Sequence, residues 1–163
     1  MNVKVNLSKV TPIAKMYGES KKETSGLYQM AEEASDYLKK FNWHNGIIES
    51  YLGIGIPNII GVFLFKVKPA KPEVDEWVWV VVGDLPPAYI TAEQSPNPAA
   101  ALDAYIGAMA EWVTAVKAGN STEKLIPVNA PPTIENAKLL ESRLKFLDNK
   151  ILAYYREDLK EHY

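Results

Sequence analysis

Few side chains in this sequence have chemistry to offer. His44 follows Trp43 in Asn42-Trp43-His44-Asn45-Gly46, and Asp84 stands between the apolar run 77–83 and the turn Leu85-Pro86-Pro87-Ala88-Tyr89. An imidazole carried by a turn at a helix end can exchange a proton near neutral pH. A carboxylate at a strand end on a stiff turn is a frequent ligand contact. With Trp43 and Tyr89 supplying aromatic surface, His44 and Asp84 make a candidate crevice for a small ligand. The structural readings stand beside it: a turn histidine bonded to backbone, and an aspartate capping its own turn.

Other chemical signatures are missing or misplaced. The glycines of Gly53-Ile54-Gly55-Ile56-Pro57-Asn58-Ile59-Ile60-Gly61 invite comparison with a dinucleotide loop, but the third comes too late and the segment leads into a strand, not a helix. It reads as a turn or bulge. No phosphate loop, nucleophile elbow or zinc-protease helix occurs. With no cysteine and only His44 and His162, the chain lacks thiol chemistry and is poorly supplied for a metal site, so neither a metal nor a cofactor is expected. Glu111 and Asp103 share a polar helix stripe that reads as a solvated face.

Composition narrows the class. The 163 residues, 47% hydrophobic and 23% charged, predict one folded domain over 1–163. Eighteen basic and twenty acidic residues leave a net charge of −2, no field to draw nucleic acid or anionic lipid. The first twenty residues scatter Lys4, Lys9 and Lys15 among apolar positions, unlike a secretion signal, so a cytoplasmic location is expected. The apolar stretch 51–65 falls short of the ~20 residues of a spanning helix, so no membrane partner is expected.

These residues need elements to position them. Leu27, Met30, Ala34, Leu38 and Phe41 predict an amphipathic helix over about 27–41. Runs 59–67 and 76–83 predict an antiparallel pair, and 46–52 and 88–91 flanking strands, together a small meander of three or four strands. Asn97-Pro98 opens a mostly buried helix that Gly119 closes, and Thr133 caps a long one running to about Tyr155. Residues 1–24 read as irregular apart from an alternation at Val3, Val5 and Leu7, and 156–163 as a frayed charged tail. The fold class is α+β, with one helix before the sheet and two after it.

Both middle strands are apolar on both faces, so either the helices wrap both sides or a second subunit covers one of them. A homodimer is therefore expected, the apolar stripe of the last helix adding to the case. The stretches 76–89, Asn97-Pro98 with Glu111-Trp112, and Ile126-Pro127-Val128-Asn129-Ala130-Pro131-Pro132 resemble a family of uncharacterised bacterial cytosolic proteins, over about residues 45–152. That resemblance implies no activity, ligand or catalytic residue. Three functions remain: a non-enzymatic interaction or assembly protein, an immunity or antitoxin-type protein that binds a basic partner, and a small-molecule enzyme or sensor using Asp84, His44 and Tyr89.

Overall fold

Short runs of β-branched and aromatic residues joined by turns pair with their neighbours in sequence. The computed structural model describes residues 5–162. In it β1 (Thr11–Pro12), β2 (His44–Ile56), β3 (Ile60–Pro69), β4 (Trp77–Gly83) and β5 (Ala88–Thr91) form one antiparallel meander in the order β1-β2-β3-β4-β5. Four strands match the expected ones. The fifth, β1, pairs Thr11 with Leu52 and Pro12 with Tyr51. Of the alternation at 3–7, Val3 and Lys4 lie outside the described residues, and Leu7–Lys9 is a 3-10 turn capped by the Asn6 side chain rather than a strand.

The β2–β3 turn carries Asn58 at φ 65°, and Gly83 ends β4 at φ 139°, where a Cβ would collide with the Ile59 carbonyl. Only glycine fits there.

Helix α1 (Lys21–Lys39) starts earlier than its apolar period suggests, because Ser20 Oγ accepts the Glu23 N–H at 3.1 Å and supplies the cap. Helix α2 (Pro98–Lys117) begins at Asn97 as expected, and α3 (Ile134–Phe146) at Thr133. The long final helix is broken after Phe146 by a π-helical turn at Leu147–Ile151 and a 3-10 turn at Leu152–Tyr155. This change of pitch keeps Leu147, Ile151 and Leu152 all in the core. The charged tail expected to fray is instead α4 (Arg156–His162). It is held where the Asp158 carbonyl accepts Asn97 Nδ2–H at 3.0 Å and its carboxylate meets Lys9 Nζ at 3.0 Å.

The two sheet faces seed two cores. Phe63, Phe65, Val67, Val78, Val80 and Val82 pack against Leu27, Met30, Ala34 and Leu38 of α1. On the other side Val62, Leu64, Trp79 and Val81 pack against α2, α3 and the turns that follow. The chain's own helices thus cover both faces, and no second subunit is needed for that purpose.

Candidate functional site

The single crevice expected from Trp43, His44, Asp84 and Tyr89 does not form, because the meander sends its two turns to opposite ends of the sheet. His44 pairs with Pro69 at one end of β3, while Gly83 pairs with Ile60 and Asp84 N–H bonds the Ile59 carbonyl at the other. About 30 Å of strand lies between them. The register does bring Trp43, His44 and Tyr89 together.

His44 is a structural residue. Its Nε2 lies 2.8 Å from the Leu38 carbonyl and its Nδ1 accepts the Gly46 N–H at 3.0 Å. The ring that makes both bonds is the neutral Nε2–H form, tying the end of α1 to the start of β2. With both nitrogens engaged on backbone in a buried site, it has neither a lone pair nor a free donor for a substrate.

Trp43 and Tyr89 belong to an aromatic cluster at this end. Their centroids are 5.2 Å apart, Phe41 lies 5.0 Å from Tyr89 edge-on, and Tyr37 packs edge-on against Phe41 at 5.2 Å. Burial raises the Tyr37 pKa, the neighbouring Tyr89 hydroxyl adds to the rise, and a hydrogen bond from the Tyr89 backbone opposes it. Beside the cluster opens a hollow of about 240 Å³, bordered by Trp43, Tyr89, Val78, Thr91 and the acidic groups of Glu73, Asp75 and Glu93. Two residues at its border each hold one side-chain polar atom that is buried without a partner, Trp43 Nε1–H and Asp75 Oδ2, neither of them reachable from solvent. The other Asp75 oxygen accepts the Trp77 N–H at 3.1 Å. Trp77 borders the hollow, and its ring lies near Tyr51 with the Lys66 ammonium 5.6 Å from its centroid. That lysine comes from the paired strand β3, so the aromatic–basic contact was invisible in the sequence around Trp77.

Asp84 occupies a different surface. Its carboxylate, 71% exposed, meets Arg143 Nε of α3 at 3.3 Å. This pair separates two shallow hollows of about 200 and 270 Å³. Leu139 edges the first and Ile59 with Phe146 the second. Helix α3 therefore has two apolar sides. Ala137, Leu140 and Leu144 enter the core, while Leu139 and Phe146 stand 52% and 44% exposed two turns apart. Their seven-residue spacing is present in the sequence but is masked by the longer buried stripe.

Among the described residues no group of three His, Asp or Glu is placed to hold a metal ion, and no helix is long and apolar enough to cross a membrane. Comparison with family models, curated proteins and solved structures finds no match for this chain.

Proposed function

We propose that the protein is a non-enzymatic interaction protein that assembles as a homodimer through the solvent face of α3. The reading is carried by one stripe, Glu135, Leu139, Ser142, Phe146 and Lys150, all exposed and spaced at three to four residues on one side of the helix and its continuation. The stripe is self-complementary. When two copies pair antiparallel about a two-fold axis beside Ser142, each Leu139 faces the Phe146 of the second copy, and each Glu135 faces its Lys150. The small Ser142 at the crossing lets the helix backbones approach. Ile59 and Leu85, which line the hollow beside Phe146, extend the apolar area toward the ~800 Å² per partner of a stable interface. The case for a dimer thus rests on this stripe and no longer on an uncovered sheet.

Gel filtration with light scattering at micromolar concentration tests it. The parent protein should give twice the chain mass. Phe146→Glu, at an exposed position, should give the chain mass with an unchanged circular dichroism spectrum. A monomeric parent overturns the reading.

A further inference from the structure

We propose that Asn45-Gly46 is a self-modifying site, where His44 takes the proton of the Gly46 amide and Asn45 closes to a succinimide that water opens to aspartate or isoaspartate. Asn45 is the one asparagine of the sequence followed by glycine. Glycine has no side chain to keep its nitrogen from the neighbouring amide carbon, and asparagine is among the heat-labile residues. The proton that must leave is already aimed at a base. His44 Nδ1 accepts the Gly46 N–H at 3.0 Å, within the roughly 2.6–3.2 Å reach of general-base catalysis. Nε2 of the same ring lies 2.8 Å from the Leu38 carbonyl, an acceptor that holds the imidazole through the transfer and favours the charge it takes up. Closed to a substrate from outside, His44 faces one within the chain.

The backbone there has room to react. Asn45 and Gly46 stand together opposite Lys68, in a bulge between the pairs His44↔Pro69 and Ile47↔Val67. Both are exposed, and Gly46, at φ 126°, has nothing within 4 Å of where a Cβ would lie. Among the described residues the Asn45 side chain has no hydrogen-bond partner to hold it away from the Gly46 nitrogen. Strand β1 reaches only Leu52 and Tyr51 along β2, so this stretch of edge is open to water. The Gly46 nitrogen bonds to Asn45 Cγ as its proton passes to His44 Nδ1. The Cγ–Nδ2 bond breaks, and Nδ2 leaves as ammonia, taking the proton back from the imidazolium. Water then attacks one of the two ring carbonyls. Opening at Cγ gives aspartate, and opening at the main-chain carbonyl gives isoaspartate, whose backbone is longer by one methylene. Either product sets a carboxylate beside His44, at the link between α1 and β2.

The experiment incubates the folded protein beside a synthetic peptide of residues 40–50, which has the same His-Asn-Gly run without the fold, in one neutral buffer. Peptide mapping by mass spectrometry follows conversion at Asn45, and an isoaspartate-specific methyltransferase reports that product. The folded protein should convert severalfold faster than the peptide, although a strand ordinarily slows this reaction. His44→Asn, which keeps an oxygen acceptor near the Nδ1 position but no base, should lower the rate by about tenfold or more with an unchanged circular dichroism spectrum. His44→Gln, which removes the Nδ1 acceptor and keeps a donor for the Leu38 carbonyl, serves if the first variant disturbs the fold. Asn45 that stays intact in the folded protein while the peptide converts overturns the proposal. Variants that convert as fast as the parent overturn it too.

Discussion

His44 and Asp84 look alike in the sequence, each a polar residue on a turn next to aromatic side chains, yet the structure gives them opposite energetic weights. His44→Ala deletes the 2.8 Å bond to the Leu38 carbonyl, leaving that group the longer 3.3 Å bond from Phe41 N–H. It also deletes the Gly46 contact and the edge-on packing against Trp43 at 5.0 Å. One net hydrogen bond is worth about 1 kcal/mol, and Gly46, being exposed, recovers its bond from water. Loss of a buried ring and the space it leaves adds about 1–2 kcal/mol. The expected cost is therefore about 2–3 kcal/mol out of a total stability of roughly 5–15 kcal/mol. Asp84→Asn gives up a single 3.3 Å contact on a side chain 71% exposed, a loss of under about 0.5 kcal/mol. Urea unfolding followed by tryptophan fluorescence measures both, with the slope m expected to match the parent. The reasoning is refuted if His44→Ala unfolds within about 0.5 kcal/mol of the parent, or if Asp84→Asn is the costlier change.

Two further predictions concern buried hydrogen bonds. Tyr105 donates to the Pro86 carbonyl at 2.6 Å, and burial holds its pKa well above the ordinary 10.0. Its folded pKa is raised, so this stability is fully present below pH 10 and is lost as pH rises above it. Tyr105→Phe should cost about 1–2 kcal/mol near neutral pH by leaving Pro86 O unpaired, and should make the alkaline fall in urea midpoint shallower than in the parent. Asn97 caps α2 through Ala100 N–H at 2.8 Å while donating to the Asp158 carbonyl at 3.0 Å. Asn97→Asp keeps the cap but loses the donor, so amide hydrogen exchange should quicken in Arg156–His162 with α2 unchanged, whereas Asn97→Ala should lower global stability by about 1–2 kcal/mol.

Much of the fold was legible where a local signal is strong. Asn97-Pro98 and Thr133 start the helices they promise, and Ile60–Pro69 and Trp77–Gly83 are strands buried on both faces over the apolar runs 60–65 and 78–82, as those runs imply. The rest depended on partners distant in sequence. Gly53 and Gly55 fall in a segment that reads as a turn or bulge: both lie inside β2, whose register shifts between Leu52 and Ile54, and Pro98 and Leu27 pack where their Cβ atoms would be. Strand β1 is two residues long and exists only through Leu52 and Tyr51. At the candidate site, the aromatic identity of Trp43 and Tyr89 was visible. Their meeting was expected too, but in a crevice shared with Asp84, and the register that joins Val80 to Tyr89 beneath α1 while pairing Gly83 with Ile60 leaves Asp84 at the far end of the sheet. Asp75 lay in a stretch read as a loop, and nothing local marks one of its oxygens as unpartnered.

Assembly through α3 is tested most directly by crossing the charges at the ends of its exposed stripe. Glu135→Lys and Lys150→Glu each place like charges opposite one another at both symmetry-related contacts, while the double variant restores opposite charges with the signs exchanged. Exposed pairs contribute about 0.2–1 kcal/mol each, so in sedimentation equilibrium each single variant should weaken the dimer by roughly tenfold. The double variant should return to within about twofold of the parent. A double variant as weak as the singles, or singles as tight as the parent, contradicts antiparallel pairing of α3.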